Sequence, residues 1–430
     1  MTKGKPSSLI LSFAFPIFLA NLLQLTYSLA DTRIVGSFLG EDALAAVGST
    51  STVSNLIIGF LLGLANGFAI ITAQRFGAKD IKGMKKSFAA SILLGTGISI
   101  VLTVLGMIFK NTLLGFLNVP HNLYGEAGAY IFIIIAGMTA TFLYDSCAAV
   151  LRSLGDTITP LIILLVSVAL NITGDLFFVV VLKSGVRGAA IATVLAQIIA
   201  FVICFVYMFK KYEILRLTKS DFTSLDGNLV RNMLGSGLSM GFMSSLVNIG
   251  SLTLQTAINK LGQDIIVAHT AFMIMFTVFG QTMATYCGQN MGAGRIDRVK
   301  TGIKSALIYT CSWCVLTVIA SYTIGDWLIY LVTGSNNENV IRNAVNYLKF
   351  DTVFYFVTAF ICILRNAMQG LGEHIIPLVS SSLEMVGKII IAATLVPWLG
   401  YAGVIVAEPI VWFNMEIPHI KQILKKIPVL

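Results

Sequence analysis

The stretch LRSLGDTITPL, residues 151–161, returns as MQGLGEHIIPL at 368–378, with Leu-Gly, an acid and a proline at matching positions. Two further pairs recur at nearly that separation. RFGAKDIKGMKK (75–86) answers NMGAGRIDRVKT (290–301), and GVRGAAIA (185–192) answers GYAGVIVA (400–407). One offset recurring three times marks a chain made of two related halves, as internal repeats do in membrane transporters.

Around these markers the chain is apolar. Of 430 residues, 56% are hydrophobic and only 11% charged, where soluble domains carry about 25% charged residues. The mean hydropathy is +0.86. A membrane-crossing helix needs about 20 apolar residues. Twelve such windows are read at 9–36, 44–73, 87–109, 126–150, 158–182, 187–209, 232–259, 265–288, 303–332, 347–368, 375–397 and 400–418. The expected fold is an all-α polytopic membrane protein, with twelve transmembrane helices in two pseudo-symmetric six-helix lobes. The N-lobe, helices 1–6, takes residues 1–209; a cytoplasmic linker takes 210–231; the C-lobe, helices 7–12, takes 232–430. Six spans per half keep the repeats parallel, an arrangement of secondary transporters with a cavity between the lobes.

The net charge of +9 is topological and does not signal a nucleic-acid partner. With a cytoplasmic N-terminus, 21 Lys and Arg fall on inside segments and seven on outside ones, with Lys388 inside a span. That asymmetry obeys the positive-inside rule and puts both termini of a multi-pass cell-membrane protein in the cytoplasm. The opening MTKGKPSS leads into a span too long for a cleaved signal peptide. All six cysteines fall within spans, and the single CxxC, CSWC at 311–314, reads as small packing residues. There is no Walker A motif, and His121, His269, His374 and His419 lack metal spacing, so no enzyme chemistry is expected. Fifteen Met and 27 Phe suit an adaptable apolar cavity wall.

Polar residues inside the spans carry the functional reading. An ionised Asp in hydrocarbon costs at least about 2.5–3.5 kcal/mol, so something should hold it. Span 5 carries Asn171 and Asp175, four residues apart and therefore on one helix face. Asp31 near the outer end of span 1, Tyr130 in span 4 and Thr193 in span 6 fall at the same level, within about 5–12 Å of the outer surface. Carboxylates, an amide oxygen and a hydroxyl are hard ligands, suited to Na⁺ or to a shared proton. Glu384 lies one turn from Lys388, an intrahelical ion pair by spacing.

These residues also carry a family resemblance. Pro16, LADTRIVGSFLGEDALAAVG (29–48), LRSLGDTITP (151–160), LNITGDLFF (170–178), GVRGAAIAT (185–193) and LGYAGVIVAEPIVW (399–412) resemble the multidrug and toxic compound extrusion (MATE) family over essentially the whole chain. The resemblance implies a cation-coupled antiporter, driven by Na⁺ or H⁺, that exports amphipathic organic compounds, drugs or metabolites by alternating access. It implies a cation-coupling site at Asp31, Asn171, Asp175 and Thr193, supported in the N-lobe cavity by Gln24, Tyr130 and Pro16, with no cofactor beyond the coupling ion. A monomer in the lipid bilayer with small cationic or amphipathic substrates is expected. The alternative within the wider superfamily is a flippase for lipid-linked precursors. Two departures stand out: Ser239 occupies a position where many relatives have proline, and residues 236–259 contain no acid for a second, C-lobe cation site. Glu384 and Glu408 are left for structural or gating roles.

Thiol labels placed at Lys82, Ser220 and Lys300 should react only from the cytoplasm, and labels at Asn122 and Asn336 only from outside, as the charge split demands. Outside reactivity at Ser220 would overturn the two-lobe assignment.

Overall fold

The computed structural model describes residues 1–117, 119–258, 264–333, 338–399 and 401–413, and among them no strand occurs. The helices are α1 (Pro6–Leu39), α2 (Glu41–Gly77), α3 (Ile81–Ile108), α4 (Lys110–Phe116), α5 (Tyr124–Leu154), α6 (Ile158–Asp175), α7 (Gly185–Lys211), α8 (Lys219–Thr223), α9 (Gly227–Ile258), α10 (Asp264–Gly292), α11 (Ile296–Thr323), α12 (Gly325–Thr333), α13 (Glu338–Gly370), α14 (Ile375–Leu399) and α15 (Tyr401–Val411). Among the described residues, nine helices are long and apolar enough to cross a membrane: α1, α2, α3, α5, α6 with the turn that follows it, α7, α11, α13 and α14. The windows at 232–259 and 400–418 fall on α9 and α15 and include residues outside the described set, while 265–288 falls on α10. Lys421, Lys425 and Lys426, three of the 21 inside charges, and the outside label position Asn336 also lie outside that set. The window 303–332 is broken at Ile324, which separates α11 from α12.

The repeated motifs turn out to be helix stops. Gly155 has φ +101° and Gly372 φ +90°, a left-handed conformation that glycine adopts at little cost. Around the first, the Gly155 amide donates to the Arg152 carbonyl at 2.9 Å and the Asp156 amide to the Leu151 carbonyl at 3.0 Å. Around the second, Gly372 donates to Gln369 and Glu373 to Met368, both at 3.0 Å. These paired bonds satisfy the last carbonyls of α5 and α13 in the manner of a Schellman motif. Pro160 and Pro377 then sit in the first turn of α6 and α14, where no backbone N–H is needed. The basic turns repeat as well: Lys79 (φ +60°) and Gly294 (φ +67°), at matching positions of the two halves, reverse the chain after α2 and α10.

Close glycine contacts repeat too. A Cβ on Gly188 would lie 3.0 Å from Phe178 Cβ, and one on Gly403 would lie 2.6 Å from the Leu395 carbonyl oxygen. Gly403 answers Gly188 and Leu395 answers Phe178 at the offsets of the repeat, so α7 meets the end of α6 as α15 meets the end of α14.

The chain forms two compact units, Phe15–Gly241, and Met1–Ala14 with Phe242–Leu430. The first packs Leu61, Leu64, Phe68, Phe142 and Met233 in one core. There the first turns of α9 lie on α2, with the Ser236 hydroxyl donating to the Gly67 carbonyl at 2.7 Å. The second packs Phe276, Cys314, Tyr355 and Trp412 together. Its share of the N-terminus is held by arginines: Arg298 donates to the Gly4 carbonyl at 2.9 Å, and Arg295 to that of Thr2 at 3.1 Å.

Asp156 ties the start of α6 to the end of α7. It accepts from the Thr159 amide at 3.0 Å, the Thr159 hydroxyl at 2.7 Å and the Tyr212 hydroxyl at 2.6 Å, with Lys211 Nζ at 3.5 Å. Partial burial pushes the carboxyl upward, but the bonds from Tyr212 and Thr159 and the Lys211 charge together hold it below the usual carboxylate range. Asp156→Ala should therefore lower the thermal midpoint by the equivalent of about 0.5–2 kcal/mol, the usual worth of a helix cap. Because the folded carboxyl is depressed, that stabilisation is complete above about pH 4 and is lost as pH falls through the folded value. A mutant and wild type that melt alike at neutral pH would contradict this.

Candidate cation site

The intramembrane polar residues of the first unit converge from four helices. Asn171 and Asp175 lie one turn apart on α6, and both are buried. Asp175 is the last residue of α6, after which the backbone widens into a π-helical stretch, Leu176–Val181. Such stretches are frequent at functional sites, because they change where a side chain points relative to the preceding turn. The α6–α7 approach at Gly188 brings Thr193 across from Asn171. The Asn171 amide donates to Thr193 Oγ1 at 3.1 Å, and the Thr193 hydroxyl donates on to the Ala189 carbonyl at 3.1 Å.

Helix α1 contributes Tyr27 and Asp31, one turn apart on one face. The Tyr27 hydroxyl lies 3.4 Å from Thr193 Oγ1. The Asp31 and Asp175 carboxyls face each other within hydrogen-bonding reach, and Tyr130 of α5 lies beside both. Two ionised carboxylates offer only acceptors, so neither can satisfy the other. In keeping with this, Asp31 Oδ1, Asn171 Oδ1 and both carboxyl oxygens of Asp175 are buried with no hydrogen-bond donor among the described residues. A buried oxygen without a donor is costly, and four at one place ask for a positive charge. The set is all hard oxygen, with two carboxylates among them, and fits Na⁺ or a proton shared by the acids.

Of the residues singled out in the sequence, Asp31, Asn171, Asp175, Thr193 and Tyr130 are thus brought together. Gln24 lies on α1 one turn before Tyr27 and Ser28 and is exposed. Pro16 is buried within α1, fifteen residues before Asp31, roughly 22 Å along a helix axis; it lies outside the cluster. Tyr27 was not singled out, although its position one turn before Asp31 was the available signal.

The second unit holds a different arrangement. Lys388 of α14 reaches Glu384 Oε1 at 3.2 Å and Glu408 Oε1 of α15 at 3.0 Å. The other Glu384 oxygen accepts from Arg365 of α13 at 2.9 Å, and Arg365 also donates to Ser381 at 3.1 Å. The intrahelical pair legible in the sequence is therefore the middle of a buried chain of alternating charges over three helices. Tyr355, hydrogen-bonded to Asp351, lies beside Glu408.

Known proteins place this architecture. The MatE family model matches residues 16–177 and again 239–394. The probable multidrug resistance protein YpnP of Bacillus subtilis (strain 168) is 28% identical over 415 residues, spanning 94% of this chain and 91% of YpnP. A probable multidrug resistance protein NorM of Thermotoga maritima is 23% identical, spanning 87% of this chain and 82% of NorM. Among solved structures, the outward-facing conformation of a multidrug resistance MATE family transporter of the MOP superfamily superposes with a TM-score of 0.89. It is 22% identical, and the match covers 99% of this chain and 96% of that one. A MOP superfamily transporter from Pyrococcus furiosus gives 0.90 at 23% identity, covering 99% and 97%. With the family model matching in each half, the chain belongs to the MatE family of multidrug and toxic compound extrusion transporters, and it is a membrane transporter rather than an enzyme.

Proposed function

We propose that this transporter is a cation-coupled antiporter that exports amphipathic organic compounds, many of them cationic, by alternating access between two six-helix lobes. The observation that carries the reading is the apposition of Asp31 and Asp175, three of whose oxygens, with that of Asn171, have no donor among the described residues. A cation arriving from outside would bind Asp31 and Asp175, with the Asn171 carbonyl and the Thr193 hydroxyl completing the shell. Binding removes the repulsion between the acids and favours the arrangement that holds them together. A ligand shifts such an equilibrium only through its different affinity for the two states. The acids supply that difference, because their repulsion rises steeply as water leaves the site. The drug-binding arrangement is the one disfavoured, so cation entry drives release outward. The names of the relatives, probable multidrug resistance proteins, support the class of cargo. The same reading takes the chain as a monomer with twelve membrane helices and both termini in the cytoplasm.

Na⁺ is the better match to the donor set, because a proton needs neither Asn171 nor Thr193. In proteoliposomes loaded with ethidium, Asp31→Asn and Asp175→Asn should each cut gradient-driven efflux at least tenfold while leaving yield nearly intact. Neutralising a membrane-embedded charge removes a cost along with a ligand. Asn171→Ala and Thr193→Ala should weaken Na⁺-driven efflux much more than H⁺-driven efflux. Full transport by Asp175→Asn would overturn the site.

A further inference from the structure

The internal repeat places two of the second unit's charges, Lys388 and Glu408, at positions of the candidate cation site. Lys388 stands to Asn171 as Gly372 stands to Gly155, at the same separation along the chain. Glu408 stands to Thr193 as Gly403 stands to Gly188. The contacts correspond as well as the numbering. In the first unit the Asn171 amide meets Thr193 Oγ1 at 3.1 Å. In the second, the Lys388 ammonium meets Glu408 Oε1 at 3.0 Å. Each pair joins the two helices whose glycine contact also repeats. The residue equivalent to Ser167 is Glu384, and it holds Lys388 from its other side at 3.2 Å. The residue equivalent to Asp175 is Ala392.

We propose that the second unit carries a counterpart of the candidate cation site in which the cation is built into the chain: the Lys388 ammonium occupies the place an exchangeable ion would take. This rests on reading the first unit's cluster as a cation site. The charge arithmetic supports it. Arg365 and Lys388 balance Glu384 and Glu408, so this ion-paired chain of four is neutral without any bound ion. An ammonium and Na⁺ are both compact, strongly hydrated unit charges that carboxylate oxygens coordinate, and lysine carries its charge on a flexible stem. A tethered cation cannot leave. The second unit therefore holds its cation permanently, as the first does only when an ion is bound, and coupling is confined to the first.

The test removes the tethered charge. Purified full-length protein in nanodiscs is titrated with ²²Na⁺ at alkaline pH, and protons taken up on acidification are counted in parallel. Lys388→Met should bind one more monovalent cation per chain than wild type, as Na⁺ or as a proton. Lys388→Met/Glu408→Gln, which restores neutrality, should return to the wild-type count. Lys388→Arg, which keeps a positive charge, should also match wild type. A Lys388→Met protein that elutes as wild type yet binds no additional cation would overturn the proposal. If Lys388→Met does not survive extraction, Lys388→Gln replaces it and the melting midpoint is read. Na⁺ should raise that midpoint further than it raises the midpoint of Lys388→Gln/Glu408→Gln, where only the first unit's site remains, and equal responses would overturn the proposal. Asp175→Asn, measured alongside, separates the two readings. An unchanged Na⁺ count there would sink the first unit's site, while the Lys388 comparison would still report on the second.

Discussion

A carboxylate inside a membrane must be neutralised, and this chain meets that requirement in two ways. In the first unit two acids face each other with no basic partner among the described residues, and on the proposed reading the positive charge comes from solution. In the second unit the acids are interleaved with Arg365 and Lys388, so the charge is covalently present. A buried ion pair adds little net stability, because desolvation offsets its attraction, but breaking one is costly. The second arrangement is thus stable in one state. On the proposed reading the first is poised between two, which is what an ion-driven transporter requires.

The scaffold that holds both sites is assembled from plain backbone devices. The left-handed glycines 155 and 372 stop α5 and α13, and a proline soon after each lies in the first turn of the next helix. Gly188 and Gly403 let α7 and α15 approach the ends of α6 and α14 more closely than a side chain would allow. Small residues at helix contacts are how membrane helices gain packing energy when lipid is as apolar as their own surfaces. The same close approach sets Thr193 opposite Asn171 and Glu408 opposite Lys388. One packing solution has been used twice with different chemistry grafted on it.

Much of this was legible in the residues themselves. The recurring offset announced the duplication because helix stops constrain sequence tightly: glycine suits positions 155 and 372, where φ is positive, and proline suits the following first turn. The depth argument reached Asp31, Asn171, Asp175, Thr193 and Tyr130 because a membrane fixes where along a span each residue sits. Tyr27 was not reached, since a tyrosine near a helix end is ordinary at a membrane interface and only its contact with Thr193 gives it meaning. The π-helical widening after Asp175 left no trace in LNITGDLFFVVV, where hydrogen-bond register is decided by neighbouring helices rather than by propensity. Nor could the Glu384–Lys388 spacing reveal that Arg365 and Glu408, on other helices, close the network.

The measurement that bears most directly on the central claim is infrared difference spectroscopy of the carboxyl groups, taken on the protein in lipid with and without Na⁺ at neutral pH. If Asp31 and Asp175 share one cation, the Na⁺-free protein should show the carbonyl stretch of a protonated carboxyl. That band should vanish when Na⁺ is added and be insensitive to Na⁺ in Asp175→Asn. A wild-type spectrum that does not change with Na⁺ would contradict the claim.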